Sequence, residues 1–279
     1  MNRGGKILHT KLAITKPLAT LEREHNKYIA NLSIWDQYIV WTYTLGSQAV
    51  NRRLVGLPFD RRLSQKWAYE LFSNFSYGLN EISTAFAEWR PLFDNPSEYN
   101  RLPSSDKSRI ADLLLDTYSK NLQTIILNAP VTKGNIVVYK ASTPYDERLT
   151  GDQFPFTLPQ APFNSTTYDP WFDFNAFLGS SAATCCLWEI SIPAGSHVLA
   201  IAHPYQAYLT EREILLPMGC SFNVLGYRYV TMSYYLTREE PIRTQQPPFE
   251  IGEVYRHDHW VRNDTNVRRI RMLIADYSE

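Results

Sequence analysis

The spacing of apolar residues changes at Pro130, and that change constrains the fold more than any other feature of the chain. Upstream, large side chains recur every three or four residues, the repeat that puts them on one face of a helix. Leu21, His25, Tyr28, Ile29 and Leu32 mark a first helix from Leu18, after a polar, flexible lead-in over residues 1–17. Ser33 caps a second, through Trp35, Tyr38, Ile39, Trp41 and Tyr43, which runs to about Leu54 and is interrupted near Gly46. A third spans residues 62–89 and stops at Pro91; residues 95–103 form a turn-rich connector. A last helix opens at Ser105 or Asp106, carries Leu114, Tyr118 and Leu122, and stops at Asn128 and Pro130.

Downstream the grammar is that of strands: residues 135–140, 187–192, 197–201, 214–216, 222–225, 228–235 and 267–274, separated by turn chemistry such as Pro193-Ala194-Gly195-Ser196. The Pro- and Gln-rich residues 237–252 read as an exposed loop. Segregated helices and strands define an α+β fold, with a helical lobe over 18–130 packed on a mostly antiparallel, β-rich core over 131–279. The irregular residues 141–183 hold seven Phe and Trp rings, including Phe172, Phe174 and Phe177, and loops of that length in a compact domain are usually functional.

Composition narrows function by exclusion. Lys plus Arg and Asp plus Glu are both 28, so no overall field draws the protein to nucleic acid or a membrane, and binding must come from a local site. Three cysteines (Cys185, Cys186, Cys220) make neither a disulfide framework nor a metal spacing. No run of about 18 apolar residues occurs, and the N-terminus shows no signal-peptide pattern. The expected location is cytoplasmic, in a host cytosol or packaged in a particle. His257-Asp258-His259 lacks further ligands for a metal. Arg262, Arg268, Arg269 and Arg271 read as a solvated sheet edge rather than an RNA surface, and Arg52-Arg53 as a basic pair on a helix.

One stretch carries chemistry. Glu211 and Glu213 stand at i and i+2 before the apolar Ile214-Leu215-Leu216, so in an extended chain both acids share a face and Arg212 points away. Alone, such a pair is equally a set of solvated edge acids. It follows, in order, a strand ending Val137-Val138-Tyr139-Lys140, then Phe163-Asn164-Ser165-Thr166-Thr167, then the Ile192-Pro193-Ala194-Gly195-Ser196 turn.

That order resembles the mono-ADP-ribosyltransferase family, in its arginine-, serine- and glutamate-motif branch of exoenzymes and binary toxins, over residues 122–225. The resemblance implies NAD as substrate, no metal, and a protein acceptor, with arginine favoured by the two-glutamate pattern. It implies Glu213 as the carboxylate facing an oxocarbenium-like ribose, Glu211 as the group that orients or deprotonates the acceptor, and Ser165 as the hydroxyl that fixes Glu213. Lys140, Ala141, Ser165, Thr166 and Thr167 would contact the cofactor, with one of Phe172, Phe174 or Phe177 stacking on nicotinamide and Tyr208 selecting the target. The family's first motif ends in arginine where this chain has Lys140, which keeps the charge and loses the planar fork. That departure favours a second reading, a catalytically weak descendant serving as a viral or structural interaction component.

Overall fold

The structure is a computed structural model. It describes residues 15–55, 61–75, 82–142, 149, 151–168, 186–202, 205, 212–242 and 254–279, with the backbone alone at 142, 230–242 and 254–270.

The helices are α1 (Lys16–Ala30), α2 (Ile34–Leu45), α3 (Gln48–Val55), α4 (Arg61–Phe75), α5 (Arg90–Asp94), α6 (Pro96–Arg101) and α7 (Ser104–Asn128), with a 3-10 turn over Thr84–Trp89. Ser33 caps α2 as its spacing predicts, its hydroxyl accepting from the Asp36 N–H at 3.1 Å. Gly46 ends α2 outright, so the expected single helix to Leu54 is two. The expected helix over 62–89 is likewise divided. α4 closes at Phe75, and Pro91 sits in the first turn of α5, where its missing N–H costs nothing, instead of stopping a helix. The expected connector at 95–103 contains α6, also opened by a proline.

The tyrosine and tryptophan stripes are core. Trp35 is ringed by Phe75, Phe86 and Phe93 at centroid distances of 5.3, 4.8 and 5.4 Å. Buried phenols find backbone acceptors, Tyr38 on Leu71 O at 2.6 Å and Tyr118 on Ile39 O at 2.7 Å, so their polar tips cost little to bury. Among the described residues no helix is long and apolar enough to cross a membrane.

The strands are β1 (Ile136–Ser142), β2 (Phe156–Pro159), β3 (Asn164–Thr167), β4 (Cys186–Ile192), β5 (Leu199–Ile201), β6 (Glu213–Leu216), β7 (Ser221–Ile242) and β8 (Val254–Ser278). They form one sheet in the order β2-β7-β8-β4-β1-β3-β6-β5, antiparallel throughout except for parallel β4–β8. β7 runs on to Ile242, paired with Val254, so the loop expected to start at Thr237 is still strand there. Pro241 is tolerated because beyond Val224 β7 pairs with β8 alone among the described strands and needs no second ladder.

Alternation along β3, β5 and β6 sorts the core into two clusters. Phe163, Leu199, Ile201 and Leu215 join the helical core, while Val198, Ala200, Ile214 and Leu216 join Ile136, Val138, Ile190 and Phe222 on the reverse face. The edge strand β5 is covered by α1. His25, fully buried, accepts from Ala200 N at 2.8 Å through Nδ1 and donates from Nε2 to Pro130 O at 2.6 Å. One imidazole thus blunts the sheet edge and ties helix to strand.

Candidate active site

β3 and β6 lie side by side with Thr167 opposite Glu213 and Ser165 opposite Leu215. A shared register puts Ser165, Thr167 and Glu213 on one face, the face covered by the helices. Ile214, Leu215 and Leu216 are all buried, as a strand enclosed on both faces requires. Glu213 opens this strand. Its neighbour Arg212 has φ of 44°, in the left-handed region where a side chain is uncommon. The extended geometry that put Glu211 and Glu213 on one face therefore stops at Glu213, and Glu211 itself lies outside the described residues.

Glu213 is 3% exposed, yet it is a carboxylate. Ser165, at the exposed surface of β3, donates its hydroxyl to Glu213 Oε1, while Oε2 is buried without a partner among the described residues. Burial disfavours the charged form and pushes the Glu213 pKa up to about 7, against the pull of the Ser165 hydrogen bond. An enclosed acid with one oxygen held and the other unpaired among the described residues can receive a hydroxyl or a cation.

The helical side of this site holds a residue that spacing alone assigns to the core. Tyr43, in the last turn of α2, is buried, and its phenol is pushed up first by burial and then by the charge of Glu213. Its ring meets Phe163 edge-on at 5.7 Å, and its hydroxyl accepts from Asn51 Nδ2 at 3.1 Å. Tyr43 and Asn51 share the α2–α3 corner made by Gly46. No sequence signal distinguishes Tyr43 from Tyr38, whose spacing is equally helical.

Lys140 is not brought to Glu213. In the register Tyr139 stands opposite Thr167, so Tyr139 and Ala141 share the glutamate face and Lys140 takes the reverse one. There its ammonium donates to Asn164 Oδ1 and lies 5.9 Å from the Phe222 ring centroid. Asn164 Nδ2 in turn reaches Pro162 O at 3.1 Å and the Cys220 sulfur at 3.9 Å. The Lys140 side chain keeps partial exposure, but dense packing about its ammonium pulls the pKa down to about 8. Thr166 also faces the reverse side, its hydroxyl donating to Ile214 O at 2.6 Å. Of the five residues expected on the cofactor around these strands, Ser165, Thr167 and Ala141 share the glutamate face, and Lys140 and Thr166 do not.

Tyr208, Phe172, Phe174 and Phe177 lie outside the described residues. Arg53 pairs with Asp116 at 3.4 Å. Arg271 is not a solvated edge residue: its side chain is 13% exposed, it stacks 3.8 Å from the Tyr227 ring centroid, and it donates to Leu149 O at 3.1 Å. Among the described residues no three His, Cys, Asp or Glu side chains are grouped to hold a metal ion.

The eight described strands in this order, with an N-terminal helical layer against the sheet, match a known fold. Plx2a, an ADP-ribosyltransferase toxin from Paenibacillus larvae, superposes with a TM-score of 0.50 at 11% identity, over 95% of this chain and 96% of that one. The fold is that of the mono-ADP-ribosyltransferase toxins. Two further solved toxins are similar to this transferase fold. The enzymatic component C2-I of the Clostridium botulinum C2 toxin aligns at TM-score 0.49 and 13% identity, over 92% of this chain and 47% of C2-I. C3stau2 from S. aureus, solved with NAD, aligns at TM-score 0.48 and 13% identity, over 94% of each chain. No family model and no curated protein sequence matches. The expected α+β architecture and the resemblance drawn from the motifs thus agree with the fold.

Proposed function

We propose that this protein is an NAD-dependent mono-ADP-ribosyltransferase that moves ADP-ribose to a protein side chain and releases nicotinamide. The observation that carries the reading is the Ser165–Glu213 hydrogen bond: a buried carboxylate, fixed through one oxygen, with the other without a partner among the described residues. The fold supports it independently.

In this reading Glu213 Oε2 receives a ribose hydroxyl of NAD. The glycosidic C–N bond breaks, its electron pair leaving with nicotinamide, and the positive charge that develops on the ribose lies against the carboxylate. A hydroxyl donor and a nearby cation both favour the ionised form, so a group titrating near 7 when empty becomes a full anion on binding. Ser165 holds the carboxylate in one orientation and so lowers the reorganisation needed in the transition state. The acceptor nitrogen then attacks the anomeric carbon and loses its proton to Glu211. A carboxylate in that role suits a guanidinium, which makes arginine the proposed acceptor. Tyr139 and Ala141, which share the glutamate face, replace Lys140 as the β1 side chains nearest the proposed cofactor.

A second reading rests on the position of Lys140. A lysine committed to Asn164 on the reverse face leaves the phosphates without the cation of the first motif. The protein is then a catalytically weak member of this fold that acts by binding a partner. Labelled NAD separates the two. Nicotinamide release by the parent and its loss in Glu213→Gln support the transferase. NAD binding without release supports the second reading. Equal release by parent and variant sinks the role given to Glu213.

A further inference from the structure

The helical layer contains a cleft that shares no residue with the Glu213 site. It has a volume of about 400 Å³ and is lined by Arg53, Arg61, Ser64, Ser105, Ser108 and Asp112. A volume of that order accommodates a small metabolite, but pockets for apolar ligands are lined by aliphatic and aromatic side chains. Here all six lining residues are polar, and three are charged.

The charges are placed in a way that helix energetics alone does not favour. Arg61 is the first residue of α4, where the positive end of the helix dipole repels a cation, and the first turn of α4 carries no acid to offset it. Arg61 makes no ion pair among the described residues. Arg53, from the last turn of α3, lines the same cleft. Its contacts to Asp116 are long, 3.4 and 3.5 Å, with the two side chains 38% and 46% exposed, so the fork is only loosely engaged. Along α7, Ser105, Ser108 and Asp112 follow one another at spacings of three and four and so form one stripe of the lining. That stripe runs from the uncapped start of α7, where Pro103 supplies no side-chain acceptor, to a carboxylate two turns on. The walls are fixed: Gln65 Nε2 bridges α4 to α7 through Ser108 Oγ at 2.9 Å and Ser104 O at 3.2 Å, and Ser64 Oγ donates to Arg61 O at 3.0 Å.

The cleft therefore gathers two guanidinium groups, three hydroxyls and one carboxylate on a hydrogen-bonded frame. We propose that it is a second ligand site, for a small sugar phosphate: the phosphate on Arg53 and Arg61, the sugar hydroxyls on Asp112. Arginine forks match phosphate oxygens two at a time, and a carboxylate accepts from paired hydroxyls. A free inorganic anion satisfies only half of this arrangement, because Asp112 repels it. The site does not depend on the transferase reading.

Isothermal calorimetry on the full chain tests it, with ribose 5-phosphate as probe and inorganic phosphate and ribose as controls. Ribose 5-phosphate binds with Kd below about 1 mM, and the two controls bind at least about tenfold more weakly. Arg61→Ala, an exposed change that leaves the fold intact, weakens ribose 5-phosphate by about tenfold or more, and so does Asp112→Asn. Glu213→Gln leaves the affinity unchanged. No heat of binding at millimolar ribose 5-phosphate overturns the proposal. So does affinity that survives Arg61→Ala, or affinity that is lost in Glu213→Gln, which assigns the probe to the other site.

Discussion

Ser165 and Glu213 are two residues out of register on neighbouring strands, and the serine hydroxyl crosses that diagonal to hold the carboxylate. Diagonal pairs on one face of an antiparallel ladder lie within reach of polar side chains only when both point the same way. The exposed serine and the buried acid thus form a single unit, open to solvent at one end and closed at the other.

Removing the acid has two separable consequences. Glu213→Gln reduces nicotinamide release by about 10³ or more, the usual cost of losing a charge that faces a developing cation. It also changes stability with a defined sign. A carboxyl whose pKa is raised on folding, from 4.5 to about 7, destabilises the fold progressively as pH rises through that window, because the folded state resists ionising it. The variant is therefore more stable than the parent above pH 7, by an amount on the order of 3 kcal/mol at most, and gains nothing at pH 4. Urea unfolding at the two pH values reads the difference.

Ser165→Ala tests the hydroxyl by itself. The hydrogen bond lowers the Glu213 pKa against burial, so its loss moves the carboxyl titration further up. A carbon-13 carboxyl titration follows this without any turnover. Nicotinamide release falls by about 10² with little change in NAD affinity, since the serine acts on the orientation of the acid.

Lys140→Arg leaves NAD affinity within about twofold, because the side chain sits on the reverse face of β1. Lys140→Met isolates its charge. A lysine whose pKa falls to about 8 on folding destabilises the native state most below pH 8, and that deficit is relieved as pH rises toward the free-amine value. The parent thus gains stability relative to Lys140→Met between about pH 8 and 10. Tighter NAD binding by the arginine variant contradicts this placement.

His25→Ala costs about 2–4 kcal/mol, from two buried hydrogen bonds and the cavity left at the β5 edge. Burial lowers the His25 pKa, so the stability it lends is lost as pH falls below the imidazole's ordinary value toward the folded one. The acid limb of the parent's stability profile just below pH 6.5 is steeper than that of the variant, as measured by thermal unfolding.

Much of this arrangement was written in apolar spacing. The break at Pro130, the cap at Ser33, the stop at Asn128 and the doubly buried Ile214–Leu216 strand are local consequences of side-chain period and backbone chemistry, and each is found where the residues place it. The order of the serine and glutamate segments likewise pointed to the fold. Local rules failed where distant packing takes over. Pro91 reads as a stop and residues 95–103 as a connector, yet Pro91 and Pro96 open short helices, because a proline's missing N–H is harmless in a first turn. Residues 237–242 read as loop because polar residues and Pro241 are tolerated on a strand with one neighbour.

The sequence alone separated a helical part from a strand-bearing part at Pro130 and, through the family resemblance, joined the Ser165 hydroxyl to the Glu213 acid, while β2 and β3 lie in the stretch it left irregular. Only the tertiary structure decided which face each side chain takes. Pairing Tyr139, and not Lys140, with Thr167 is a choice of one residue in register, and in a sheet that choice turns every side chain over. It is set by contacts between strands far apart in sequence, which is why it sent the lysine to Asn164 and left Tyr139 and Ala141 on the face of Glu213.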